Sequence, residues 1–313
     1  MSPATTPDHN PALDELGVLD DARWIVGPVR NGVNLAAQAT EGIHNDDVAT
    51  AIGFRGGTVA GDIHLDQFAP VLLEAFGPEW FESGSLSLYF KHATLDGEPV
   101  IASVAQPSQP IVADATATSL AAMKTPEGVV VAEGTASVGP GARQNTALRL
   151  RDLRGCDPSV LRILRDVQVG EPFDPIELTP QGQEQTERLR LGLLSEPLPW
   201  YSGDSPWGGP IASPLTAAHL LHWEVAQPLS ARLPTNVGMF GAIEIAFVNG
   251  PIFLDQRYVV TGEIVAVSDS PKTEILWYDT RAHSLSGELV ATCRMMTRMV
   301  KASSPLYNEL DGI

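Results

Sequence analysis

Side chains able to move protons are concentrated in residues 44–75. His44 opens this segment, with Glu41, Asp46 and Asp47 beside it in sequence. An imidazole titrates near neutral pH and is readily tuned by a carboxylate, so His44 is a candidate general acid or base and Glu41 a candidate partner. A loop histidine in solvent among hydrated acids would produce the same pattern, and both interpretations fit the sequence.

A glycine-rich turn follows His44 at residues 53–61, with the sequence GFRGGTVAG. Glycines lack Cβ and allow a ligand to approach the backbone closely. A helix starting at Gly61 or Asp62 would direct its free N–H groups and its dipole at whatever lies above the turn. Such a helix end suits a carbonyl oxygen that gains negative charge, so Gly57 and Gly61 are predicted to bind substrate.

Asp62, His64 and Asp66 are further candidate catalytic residues. On a helix Asp62 and Asp66 share a face, whereas His64 points about 200° away, so the three do not converge and we expect no metal site. Asp66 is a carboxylate within an otherwise apolar helix, where burial is costly without a partner, and it is therefore a candidate acid or base. Alternatively, both aspartates simply complement the helix N-terminus.

The surrounding pattern predicts an α+β fold. A first strand is predicted at residues 24–30, and helical periodicity extends from residue 62 to 76, where Gly77 and Pro78 stop it. Four further strands are predicted at residues 86–92, 100–106, 113–123 and 129–138. One helix followed by a run of antiparallel strands is typical of this class.

Composition limits the partners of the chain. Its 313 residues carry a net charge of −18, which disfavours nucleic acid and anionic membranes as partners. No basic, apolar leader and no membrane-length apolar run is present, so we expect a cytoplasmic protein. Cys156 and Cys293 lie far apart and fit no metal or redox spacing.

The second half of the chain repeats the first. Residues 56–60, 86–90 and 133–136 match residues 208–212, 243–247 and 286–289 at a shift of roughly 150 positions. We therefore predict a flexible arm at residues 1–19, an N-terminal domain at 20–140, a linker at 141–171, a C-terminal domain at 172–302 and a tail at 303–313. A short helix from Asp157 is expected in the linker.

The second half lacks the polar groups of the first. Pro214, Thr216 and Ala218 stand where Asp62, His64 and Asp66 would be. Near the place of His44 are Trp200 and Tyr201, which could line an acyl tunnel or belong to the core. His219 and His222, three residues apart on the second helix, are expected to be core or interface residues. We therefore predict one competent site and one degenerate half that shapes the pocket.

The linker region is rich in arginine. Its six arginines are Arg143, Arg149, Arg151, Arg154, Arg162 and Arg165. They could bind the phosphates of coenzyme A or of a carrier-protein arm, or they could pair with the many surface acids.

The segment from His44 to Gly61 resembles the signature of MaoC-like hydratases and dehydratases. Residues 85–90 with 96–98 resemble the strand and turn of that family, and residues 207–214 are similar to the same turn in a second copy. The resemblance covers most of residues 20–300. It implies a double hot-dog fold, in which two antiparallel sheets, each wrapped round a central helix, are joined edge to edge.

The resemblance also implies a reaction, the reversible hydration of an enoyl thioester, with coenzyme A as part of the substrate and no separate cofactor. The family uses an Asp and a His in an Asp-x-Asn-Pro-x-His segment, assisted by a backbone N–H at the turn. His44 matches that histidine, but Ala39 stands at the position of the Asp, and Glu41-Gly42 replaces Asn-Pro. Either Glu41 substitutes, or Asp66 does as in the related hydroxyacyl-carrier dehydratases, or the reaction is not hydration.

Two other functions remain open. Double hot-dog acyl-CoA thioesterases use a Gly-Gly turn with a carboxylate or Gln, here Asp66 and Gln67. The missing Asp would also fit a non-catalytic acyl-binding subunit. For each of these functions we expect a homodimer.

Overall fold

One continuous antiparallel sheet of ten strands is the main feature of the fold. The computed structural model describes residues 23–39, 42–107, 111–112 and 115–308. The strands are β1 (Trp24–Asn31), β2 (Gly84–Phe90), β3 (Pro99–Ala105), β4 (Ala117–Lys124), β5 (Val130–Val138), β6 (Pro172–Leu178), β7 (Val237–Phe247), β8 (Tyr258–Asp269), β9 (Thr273–Ser284) and β10 (Leu289–Val300). Their order is β1-β3-β4-β5-β2-β7-β10-β9-β8-β6. The first five strands therefore lie on one side of the β2–β7 pair and the last five on the other.

The helices are mostly short. They are α1 (Asp46–Ala51), α2 (Ile63–Asp66), α3 (Ala69–Phe76), α4 (Trp80–Ser83), α5 (Gly182–Arg190), α6 (Pro214–Arg232) and α7 (Pro305–Asn308). Helix α3 packs on β1 and β3, and α6 packs on β6, β8, β9 and β10. This arrangement confirms the α+β class, and the structure has one large antiparallel sheet with helices where two sheets joined edge to edge were expected. In the described part of the chain no helix has the length and apolar character needed to cross a membrane.

The predicted helix at residues 62–76 is two helices, and Pro70 explains the break. A continuous helix would need the N–H of residue 70 to bond the carbonyl of Asp66, but proline has no N–H. Helix α2 therefore ends at Asp66, and α3 starts at Ala69 with Pro70 in its first turn. Gly77 ends α3 with a φ of 74°, as the Gly-Pro stop signal predicts.

Most of the strand predictions are confirmed, with shifts of one or two residues at their ends. The predicted strand at residues 113–123 starts later, at Ala117, and residues 113–114 lie outside the described part, as do residues 1–19 and 309–313. One of the three repeat matches is wrong, because residues 133–136 lie within β5 whereas residues 286–289 form a turn that leads into β10.

The arginine-rich linker packs on the central strands. The N–H of Leu148 donates to Ser87 Oγ on β2 at 3.1 Å. Arg149 is paired with Glu244 at 2.7 Å and with Asp279 at 2.5 Å. The short helix expected from Asp157 is a 3-10 turn at Pro158–Val160. The linker therefore covers strands that would otherwise have one face in solvent, and its Arg149 neutralises buried carboxylates.

Candidate active site

A cavity of roughly 480 Å³ lies between the glycine-rich turn and helix α6. Its wall includes His44 and residues 58–61 from the first half, and His222 and Trp223 from α6. Strands β7, β9 and β10 close the remaining side with largely apolar residues. A pocket of this size with a few convergent polar groups is typical of a small-molecule site.

His44 is fixed in a defined tautomer at this cavity. Its Nδ1 lies 2.7 Å from the carbonyl oxygen of Thr58. A carbonyl only accepts hydrogen bonds, so Nδ1 carries the proton and Nε2 is left with a free lone pair. The backbone is held as well, because Asn34 Nδ2 donates to the His44 carbonyl at 2.8 Å. Within the described residues Nε2 has no partner, so this nitrogen is available to act as a base.

The turn pairs its first N–H groups and leaves the later ones free. The N–H of Thr58 donates to the Ile43 carbonyl at 2.9 Å, and the N–H of Val59 donates to the Thr94 carbonyl at 2.8 Å. The next three N–H groups, those of residues 60–62, meet no acceptor in the part of the chain that the structure describes. They stand before helix α2, so this stretch could receive a developing oxyanion.

Gly57 and Gly61 serve different purposes. The N–H of Gly57 donates to Asp46 Oδ1 at 2.7 Å, so it is already used within the protein. A Cβ on Gly57 would strike the His44 carbonyl, and this glycine therefore lets the His44 segment lie against the turn. Gly61 lines the cavity, and a Cβ there would stand 2.7 Å from the Phe90 ring.

Asp62 is buried beneath two histidines of helix α6. Its Oδ2 lies 2.9 Å from His219 Nε2 and 3.4 Å from His222 Nε2. The longer approach lacks the geometry of a hydrogen bond and is an electrostatic contact. Burial raises the pKa of Asp62, but the two histidines lower it more, so the net direction is downward. The carboxylate is therefore ionised at neutral pH.

His64 lines the cavity but both its ring nitrogens are engaged. Nδ1 lies 3.0 Å from Gln67 Oε1, and Nε2 lies 2.8 Å from Thr94 Oγ1. Burial lowers the pKa of His64, which keeps the ring neutral. Its contacts make it a structural bridge between α2 and the loop after β2.

Asp66 binds the start of helix α6 rather than the cavity. Its Oδ1 accepts from the N–H of Leu215 at 2.8 Å, and its Oδ2 lies 3.4 Å from Ser213 Oγ. Burial raises the pKa of Asp66 to about 7, although the bond from Leu215 opposes this. Asp66 does not belong to the cavity wall, and this side chain completes the cap of a helix in the other half.

The remaining predicted site residues lie elsewhere. Glu41 is outside the described residues. Trp200 and Tyr201 belong to an aromatic cluster around Phe81, with centroid distances of 6.1 Å and 6.5 Å, and neither is part of the cavity wall. Among the described residues that form the cavity wall, none is one of the six linker arginines.

His222 was expected to be a core or interface residue, and the structure places it, buried, on the cavity wall beside Asp62 of the other half. The only available signal was the His219–His222 spacing on a helix. Their contact with Asp62 joins residues on different halves of the chain, which no local pattern shows. Lys91, His92 and Arg298 also line the cavity, and they come from the ends of two strands that are distant in sequence.

Comparison with known proteins gives similarity in structure alone. No protein-family model and no curated protein sequence matches the chain. A solved structure described as a MaoC domain protein dehydratase from Chloroflexus aurantiacus has a TM-score of 0.60 and 14% identity, over 96% of this chain and 99% of its own. A conserved hypothetical protein from Mycobacterium tuberculosis with a double hot-dog fold has a TM-score of 0.56 and 12% identity, over 91% and 97%. A further MaoC-like dehydratase has a TM-score of 0.53 and 13% identity, over 89% and 97%. The chain therefore has the fold of MaoC-like and double hot-dog proteins.

Proposed function

We propose that the protein is a lyase that reversibly hydrates a 2-enoyl thioester. The observation that carries the proposal is that one cavity brings together His44, with an available Nε2, and the N–H groups of residues 60 and 61, which have no acceptor among the described residues. Water addition to an enoyl thioester needs a base for the water and a donor for the thioester oxygen. The structural likeness to MaoC-like dehydratases agrees with this chemistry.

His44 and the turn would act together. Nε2 of His44 takes a proton from water, whose oxygen then bonds to Cβ of the substrate. The Cα=Cβ electrons move onto the thioester oxygen, where the N–H groups near Gly61 stabilise the enolate. Collapse of the enolate with a proton at Cα completes the addition.

The cavity wall also offers positive charge in a strongly acidic protein. Lys91 lines it but is paired with Glu133 at 2.9 Å, whereas Arg298 lines it with an Nε that is buried without an acceptor among the described residues. A buried guanidinium N–H without a partner is unfavourable, and an anionic ligand would supply one. This favours a thioester with a phosphate-bearing carrier such as coenzyme A.

The alternatives have less support. The thioesterase hypothesis rests on Asp66 and Gln67, and neither lines the cavity. The non-catalytic hypothesis rests on Ala39 in place of an acid, and a base is nevertheless present at His44. Free-thiol release from acyl-CoA would favour the first, and tight acyl-CoA binding without turnover the second.

The test is a spectrophotometric assay of crotonyl-CoA and longer enoyl-CoA hydration. We expect turnover by the wild type and a loss of about 10²- to 10⁴-fold in kcat with His44→Asn, because a general base contributes this much. The matched control is His92→Asn, because His92 lines the same cavity but its Nε2 already faces Arg55 at 3.1 Å. Unchanged turnover in His44→Asn would reject the assignment of the base.

We also propose a cytoplasmic homodimer. The high negative charge of the sequence motivates the location, and the fold motivates the assembly. Light scattering on the purified protein would test the dimer by its mass.

A further inference from the structure

We propose that His222, which lies beside the carboxylate of Asp62, is a second catalytic group, which exchanges the proton at Cα of the substrate. The inference rests on the proposed function and names the group that completes it. It assigns a role to helix α6 of the second half, whereas His44 and the turn belong to the first. The active site would then be assembled from both halves of the chain.

Hydration requires two proton transfers at different atoms. Water loses a proton as it adds to Cβ, and Cα gains one. Within the described residues, His44 has one nitrogen available for the first transfer. If a second imidazole lay near Cα, His44 could stay beside the water that adds to Cβ and would not have to move to Cα for the second transfer.

His222 is the cavity histidine that remains for this task. Four histidines line the cavity, but His64 has both nitrogens engaged and His92 faces Arg55. His222 is only 2% exposed, and its Nε2 has no hydrogen bond among the described residues. Its ring packs edge-on against Phe240 at 5.2 Å, which restricts its rotation. A buried ring on a cavity wall, with only a carboxylate near its Nε2, is poised to meet a ligand with its other nitrogen.

Asp62 supplies what a catalytic histidine needs from a neighbour. Its Oδ2 stands 3.4 Å from His222 Nε2, so the carboxylate lies on the Nε2 side of the ring, and the proton transfer with the substrate would use Nδ1. Because Asp62 is ionised, it stabilises the imidazolium that forms when His222 takes a proton. The same oxygen contacts His219 at 2.9 Å, but His219 is outside the cavity wall.

The proton balance closes in both directions. In dehydration the Cα–H bond breaks, its proton moves to His222 Nδ1, and its electron pair passes to the enolate. The Cβ–O bond then breaks as Cα=Cβ forms, and the departing hydroxyl takes a proton from His44 to leave as water. His222 releases its proton to solvent, and His44 regains one. Hydration is the reverse.

Several titratable or charged groups surround this pair. Those around Asp62 and His222 are His219 on α6, His64 on α2, Tyr278 on β9, Lys91 and His92 after β2, and Arg298 on β10. A pH profile of the rate therefore cannot by itself identify His222 as the group involved. The measurement must follow the proton transfer at Cα directly.

Deuterium exchange at Cα separates His222 from His44. Butyryl-CoA is saturated and cannot lose water, so its exchange in D₂O needs only a base at Cα and the N–H groups at the oxygen. We expect the wild type and His44→Asn to exchange, and His222→Gln to lose at least about 100-fold in exchange and in kcat for hydration. The matched control is His283→Gln, which removes an imidazole on β9 that does not line the cavity and should change either rate by less than about fivefold.

The outcomes distinguish the two proposals. If the wild type does not hydrate enoyl-CoA, the proposed function fails and this inference falls with it. If the wild type hydrates but His222→Gln exchanges as fast as wild type, the inference alone is wrong. Should His222→Gln not fold, His222→Asn and Asp62→Asn replace it, and normal exchange in both would equally overturn the proposal.

Discussion

The glycine-rich turn of the first half and its counterpart in the second make the same backbone bonds. Ile43 accepts from the N–H of Thr58, and Trp200 accepts from the N–H of Ile211, both at 2.9 Å. Each turn also forms a single bridge, Thr58 with Leu95 and Ile211 with Phe253. These matching bonds support a duplication, and they place His44 and Tyr201 in equivalent positions.

The two turns differ in how they enter their helices. In the second half Ala212 leads directly to Ser213, which caps α6, and the Ser213 N–H donates to Gln185 Oε1 at 2.9 Å. In the first half, two residues, Ala60 and Gly61, come between Val59, the equivalent of Ala212, and the cap at Asp62. Those two residues line the cavity, and their N–H groups meet no acceptor among the described residues, so the longer turn creates the potential oxyanion site.

The side chains at the two equivalent positions, His44 and Tyr201, also differ in their surroundings. His44 is half-buried beside a cavity, whereas Tyr201 is fully buried and its hydroxyl has no hydrogen bond to any described residue. Rings of Phe81, Trp200 and Trp207 fill the space near Tyr201. One shared scaffold thus carries an open polar site in one half and a packed aromatic core in the other, while helix α6 of the second half still contributes to the open site.

The largest effect is expected from Gly57→Ala in the first turn, and Gly209→Ala in the second turn is the substitution to compare with it. Gly57→Ala places a Cβ against the His44 carbonyl, whereas Gly209→Ala meets only the Phe253 ring at 3.7 Å. We expect Gly57→Ala to lower kcat/KM for hydration by about 100-fold, because His44 must move, and to lower Tm by overpacking. Gly209→Ala should stay within about 0.5 kcal/mol of wild type in stability. Equal effects of the two substitutions would break the distinction between the turns.

A smaller effect is expected at Gly61, the residue specific to the longer turn. The Cβ of Gly61→Ala would stand 2.7 Å from Phe90, so the ring must shift within the cavity. We expect kcat/KM to fall about tenfold, equivalent to about 1.4 kcal/mol. The double variant Gly61→Ala with Phe90→Leu should recover part of this loss in the same assay. A loss that the second substitution leaves unchanged would mean that the ring is not the cause.

A pH-dependent effect on stability is expected at Asp66, which joins the two halves. Its pKa is raised from 3.8 to about 7 by burial, so the folded protein binds more protons than the unfolded chain between these values. The contribution of Asp66 to stability is therefore full below about pH 4 and falls by up to about 1.4 kcal/mol per pH unit as the pH rises towards 7. Asp66→Asn should remove this slope from Tm measured between pH 5 and 8, and an unchanged slope would show that Asp66 is ionised throughout.

Much of the fold was predictable because its signals are local. Alternating apolar residues marked β2, β3 and β5, and the Gly-Pro pair marked the end of α3. Pro70 also indicates the break between α2 and α3. Apolar residues continue at helical period on both sides of it, and the prediction therefore joined the two helices. The continuity of the sheet depends on the pairing of β2 with β7, which no local pattern specifies.

The candidate site was predictable only in its first half. The His44 segment and the glycine-rich turn are close in sequence, and their chemistry could be inferred from residue types. Asp62 and Asp66 stood out as carboxylates in an apolar helix, but their partners, His219 and Leu215, lie in the other half of the chain. Roles that depend on contacts between the halves required the structure.

The central claim is that the open site of the first half binds the thioester, and its most direct test is a crystal structure of the His44→Asn protein with crotonyl-CoA. The account predicts the thioester oxygen within hydrogen-bond distance of the Gly61 or Asp62 nitrogen, and the enoyl carbons between residue 44 and His222. An acyl chain among the aromatic rings near Tyr201, or a thioester oxygen turned away from the turn, would contradict it.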